Sequence, residues 1–129
     1  MKIKFLSVKQ ILQTHIRQIE LIGGAHGIRD MGLLISSTQE PKSTFNKNYL
    51  YNFPFEMAAC YAYSIINNHP FIDGNKRTGM ISAIVFLRLN SVYINLNNDD
   101  FFSLAMLIAN NKLNYQQLAK EFSSLLIAT

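Results

Sequence analysis

His69-Pro70-Phe71-Ile72-Asp73-Gly74-Asn75-Lys76-Arg77-Thr78-Gly79 separates the two most apolar segments of the chain. Before it runs Met57-Ala58-Ala59-Cys60-Tyr61-Ala62-Tyr63-Ser64-Ile65-Ile66, and after it Met80-Ile81-Ser82-Ala83-Ile84-Val85-Phe86-Leu87. Both segments are apolar nearly all round, which predicts two helices buried on most faces. Pro54 opens the first where its missing N–H costs nothing, and Glu56 lies in the first turn, where the helix dipole favours an anion. Asn67-Asn68 reads as the end of that helix, and Arg88 to Asn90 as the end of the second. Both halves of the core therefore meet at a polar loop.

Upstream, Ser7 with Gln10 reads as a capping box, and Leu6 with Ile11 as its hydrophobic staple. Val8, Ile11, Leu12, Ile16 and Ile19 recur at helical spacing until Gly23-Gly24. His15 falls in this stripe and reads as a core-edge histidine bonded to backbone; His26 reads as a solvated loop residue. Arg29 to Ile35 suggests a short helix ended before Pro41. Lys42 to Asn52 has no helical period and suits an extended or hairpin segment, either a small β-flap over a cleft or an ordinary irregular connection.

Downstream, Val92, Ile94 and Leu96 alternate as a short extended piece. Asn98 or Asp99 caps a helix through Phe101, Phe102, Leu104, Ala105, Leu107 and Ile108, stopped by Asn110-Asn111. Asn114 with Gln117 forms a second capping box, and Leu118, Phe122, Leu125 and Leu126 line the last helix. The expected architecture is all-α: one compact helical domain over residues 1–129, with about six helices and at most one small hairpin.

Composition narrows the class. A hydrophobic fraction of 49% against 16% charged residues is that of a globular chain, not a disordered one. No apolar run is long and uncharged enough to span a bilayer, and the start does not read as a secretory leader. The single Cys60 allows no internal disulfide, sits in an apolar run as core filler, and fits a reducing cytoplasm. A net charge of +4 hints at an anionic partner. The cations are scattered, however, with no basic stripe interleaved with aromatics, so direct nucleic-acid binding is not expected.

The loop itself carries chemistry. Gly74 can take positive φ and let successive N–H groups face one concavity, and the start of the following helix offers unpaired donors to an anion. Asn75 is a good N-cap. Lys76 and Arg77 occupy the first turn, the wrong end of the dipole for cations unless an anion is bound there. Arg77 offers a fork for phosphate oxygens, and Lys76 a mobile point charge. Asp73, the one carboxylate in the loop, suits Mg²⁺ shared with phosphate. His69 can take a proton from an attacking hydroxyl near neutral pH. Phe71 should point into the core and pin the loop. Base, metal carboxylate and phosphate cradle together spell transfer from a nucleoside triphosphate to a hydroxyl. Taken singly, His69 reads as a helix end and Asp73-Gly74 as a plain turn. No Walker-type loop and no zinc-ligand spacing occur.

The stretch from His69 to Arg77 resembles the signature of the Fic/Doc (Fido) family, and Lys76 gives it the look of the Doc, death-on-curing, branch. Gly27-Ile28-Arg29-Asp30, Gly32-Leu33-Leu34, Pro41, Leu50-Tyr51 and Phe86 to Asn90 follow in the order seen in Doc-like proteins. The resemblance covers the chain from the first helix to about Asn90.

It implies a Fido-type helical fold and the toxin of a bacterial toxin–antitoxin pair, with ATP as substrate and Mg²⁺ as cofactor. It implies His69 as the catalytic base, Asp73 as the metal ligand, and Gly74, Asn75 and Arg77 as the phosphate cradle, to which the residue reading adds Lys76 as a further nucleotide-binding group. Adenylylating Fic enzymes usually have Gly at the place of Lys76 and a second Arg at that of Met80. Doc proteins match this chain at both, and they pass the γ-phosphoryl group to a threonine of translation elongation factor Tu. The resemblance thus implies phosphotransfer, with AMP transfer as the alternative. Ser36 to Glu40 approaches the Fic autoinhibitory pattern, but Pro41 follows it. An external brake is then expected: an antitoxin whose disordered tail folds into a groove on this domain. Competing expectations are a non-enzymatic basic module and a toxin degenerated to antitoxin binding alone.

Overall fold

Two antiparallel neighbours, α3 (Phe55–Asn68) and α4 (Asn75–Leu89), form the centre of the molecule in a computed structural model that describes residues 2–127. They are preceded by α1 (Val8–Ile22) and α2 (Met31–Gln39) and followed by α5 (Asn98–Ala109) and α6 (Tyr115–Ser124). A short antiparallel hairpin, β1 (Thr44–Phe45) and β2 (Asn48–Tyr49), pairs Thr44 with Tyr49 between α2 and α3. The described residues thus make an all-α fold of six helices with one small hairpin, as expected. No described helix is long and apolar enough to cross a membrane.

α3 is buried over Met57–Ala62, Ile65 and Ile66, because small residues on several faces let α4, α6 and α2 approach it. At Gly79 of α4 the two central helices are so close that an added Cβ would lie 3.0 Å from the Ala62 carbonyl oxygen. One apolar core joins both central helices to Leu6, Ile11, Leu34, Ile108, Leu118 and Phe122. Cys60 is buried in α3, and burial pushes its thiol up to about 12. It is an inert filler.

Local capping explains most helix boundaries. The boxes at Ser7/Gln10 and Asn114/Gln117 are both present, and Gly23 closes α1. Several boundaries depart from the sequence reading. α2 begins at Met31, because the Asp30 carboxylate accepts from Leu33 N and leaves Arg29 in the preceding loop. α2 ends at Gln39, before Pro41 as expected, and Pro41 sits in a separate 3₁₀ turn over Glu40–Lys42. Asn67 and Asn68 complete α3 instead of breaking it, and the left-handed His69 ends it. α5 is capped by Asn97, whose side chain accepts from Asp100 N. Leu125 and Leu126 lie beyond α6, with Leu126 bridged to Ile94.

Candidate functional site

The loop between α3 and α4 is built by contacts from far along the chain. Ile28 pairs with Phe71, Ile72 N donates to Gly27 O, and the Arg29 and Asp30 N–H groups donate to Pro70 O. The Arg29 guanidinium donates to His69 O at 2.6 Å and Asn68 O at 2.8 Å, placing a cation on the last carbonyls of α3. Arg29 is the residue whose part the sequence conceals, since nothing in its spacing ties it to a helix end forty positions away.

His69 adopts φ 48°, ψ 56°, a left-handed conformation that favours glycine. A β-substituted residue held there costs about 1 kcal/mol, and such strain gathers at functional sites. Its side chain is exposed. Phe71 is buried, as expected, and its ring is stacked on His15.

Asp73 is tied by its backbone and its carboxylate at once. Its carbonyl accepts from His15 Nε2 at 2.8 Å, which puts the imidazole proton on Nε2. One carboxylate oxygen accepts from Ala25 N at 3.0 Å and the other from Gly74 N at 2.8 Å. These two N–H groups hold the carboxyl below its ordinary range, so it is ionised at neutral pH. The group remains exposed, with lone pairs free on both oxygens. Among the described residues no cluster of three or more His, Cys, Asp or Glu forms a preformed metal cage. A single ionised carboxylate beside an anion site fits Mg²⁺ that arrives with phosphate and water as its other ligands.

The start of α4 differs from the sequence expectation. Gly74, at φ 77°, occupies the N-cap position, and α4 has no side-chain cap. Asn75 is instead the first helical residue, and its buried side chain is spent on Phe71, accepting from its N–H at 3.0 Å and donating to its carbonyl at 2.9 Å. The first-turn N–H groups therefore face the concavity with no side-chain acceptor. Lys76 is exposed, and Arg77 donates to Gly23 O at 3.0 Å.

The structure brings Asp73, Gly74, Lys76 and Arg77 to one cleft of about 340 Å³. Asn75 turns inward to Phe71, and His69 is not among the residues that line the cleft. The far wall is α5, through Phe101, Phe102, Ala105 and Met106, with Ile22 of α1. α5 was legible only as an amphipathic helix, without a signal that it faced the loop. Chemically, the arrangement offers uncapped helix N–H groups and two cations beside an ionised carboxylate, with the His69 imidazole on the same loop but outside the cleft lining.

A family model described as the Fic/DOC family matches residues 5–87. Toxin Doc of Mycolicibacterium smegmatis is 36% identical over 72 residues, covering 56% of this chain and 55% of that protein. The match therefore spans little more than half of the mycobacterial relative. Protein kinase doc of Escherichia phage P1 is 29% identical over 91 residues, 70% of this chain and 71% of that protein.

Proposed function

The chain belongs to the Fic/DOC family, and from that premise we propose that it is a Doc-like toxin that transfers the γ-phosphoryl group of ATP to a protein hydroxyl. The observation that carries the reading is the ionised Asp73 carboxylate beside the uncapped start of α4, with Lys76 and Arg77 in the same cleft and His69 on the same loop. The name of the phage relative, protein kinase doc, favours phosphoryl over AMP transfer.

In this reading the first-turn N–H groups of α4, Lys76 and Arg77 hold the phosphates. Gly74 leaves room for them. Asn75 contributes its backbone N–H and fixes Phe71, which keeps the loop on the core. Asp73 is the residue that would hold Mg²⁺, which when bound neutralises phosphate charge. His69 takes the proton of the acceptor hydroxyl as its oxygen bonds to the γ-phosphorus. The bond from that phosphorus to the β,γ-bridging oxygen breaks, and ADP leaves. The acceptor inferred from the family resemblance is translation elongation factor Tu, and the place of action the cytoplasm. The name Toxin Doc supports an antitoxin partner; that its disordered tail folds into a groove on this domain is inferred from the family resemblance alone.

ATP labelled at the γ- or α-phosphorus tests the reaction with elongation factor Tu as acceptor. Label transferred from the γ-position is the expected result. Transfer from the α-position would replace kinase by adenylylation, and transfer of neither would leave a binding module.

A further inference from the structure

The cleft at the start of α4 has two unlike walls, one charged and one apolar. Opposite Asp73, Lys76 and Arg77 stand Phe101, Phe102 and Met106 of α5. Phe102 is 61% exposed and Met106 49%, large apolar groups left in water beside charges. The rings of Phe101 and Phe102 meet edge to face at 5.8 Å and 76°, which limits the orientations each can take. They lie in the first two turns of a helix anchored by its Asn97 cap. The volume suits a small molecule; a helical segment, some 10 Å across, needs more.

Resting on the phosphate-binding reading above, we infer that the base of the donor nucleotide lies on this α5 wall, with Phe102 as its stacking face, and that the site does not select the base by its edge. The lining supports the second half directly. It contains no amide, hydroxyl or imidazole side chain, and its three charged groups stand at the phosphate end. Strong discrimination between ring substituents needs a buried polar partner that the wrong ligand leaves unpaired. Stacking on an aromatic ring tolerates any base, because every base has a π-face. The donor is therefore a nucleoside triphosphate read by shape and charge, ATP and GTP alike.

Titration calorimetry of the full chain with ATP, GTP and inorganic tripolyphosphate, each with Mg²⁺, tests this. The wild type should bind ATP and GTP within about threefold of each other. Phe102→Ala, at an exposed position, should weaken both by about tenfold and leave tripolyphosphate unchanged. Arg77→Ala should weaken all three. The inference is overturned if Phe102→Ala binds ATP as the wild type does, as it would were the wall a protein-docking face. A preference for ATP over GTP of about a hundredfold or more would overturn it too. If the wild type binds none of the three, the phosphate site itself falls, and this inference with it.

Discussion

The imidazole of His15 lies flat on the ring of Phe71, with centroids 3.8 Å apart and planes 3° from parallel. The same imidazole donates from Nε2 to the Asp73 carbonyl. One side chain of α1 therefore fixes two points of the loop, the residue that roots it in the core and the residue that presents the carboxylate. Replacing it with alanine removes the stack, opens a buried cavity and leaves a carbonyl unpaired. His15→Ala should lose about 3 kcal/mol of stability in urea denaturation.

The same residue makes stability depend on pH. Burial, the largest influence, pushes the His15 pKa below its ordinary 6.5; the bond to Asp73 O opposes this, His26 and Arg77 add to it, and the Asp73 charge opposes. The folded state then binds fewer protons than the unfolded one just below that value. Stability is fully present above 6.5 and is lost as pH falls through the lowered folded value. Between pH 7.5 and 5, wild-type stability should fall further than that of His15→Gln, which does not titrate; equal losses would remove His15 as the source.

Gly79→Ala should destabilise the protein even though alanine favours helices by about 1 kcal/mol. The new Cβ would lie 2.9 Å from Ile66 Cγ1 and 3.0 Å from the Ala62 carbonyl oxygen, and the backbone of α3 cannot step aside cheaply. Overpacking of this kind costs about 1–3 kcal/mol, so the net effect is a lower Tm in a thermal melt.

Asn75 separates support of the loop from contact with ligand. Asn75→Ala leaves both backbone groups of buried Phe71 unpaired and should cost about 2–4 kcal/mol. Asn75→Asp restores an acceptor for Phe71 N but sets a carboxylate against Phe71 O. It should therefore be no more stable than alanine. An Asn75→Asp variant as stable as wild type would show that the amide is not spent as the geometry requires.

The sequence makes legible what is local. The Ser7/Gln10 and Asn114/Gln117 boxes, the buried periods of α3 and α4, and the residue types from His69 to Arg77 all announce themselves within a few positions. What joins distant positions does not. Arg29 on the last carbonyls of α3, Ala25 N on Asp73, and Phe102 across from Lys76 depend on how loops and helices return to one place. Asn75 shows a subtler limit. Asparagine is a good N-cap by type, yet here the preceding glycine takes the cap position, and the amide turns inward to Phe71.

The central claim is that His69 is kept in a strained backbone for its imidazole. The most direct measurement compares His69→Gly with wild type in transfer from γ-labelled ATP and in urea denaturation. Glycine relieves the left-handed conformation, so the variant should be more stable by roughly 1 kcal/mol, still bind ATP, and transfer no label. A His69→Gly variant that transfers label at the wild-type rate would contradict the account.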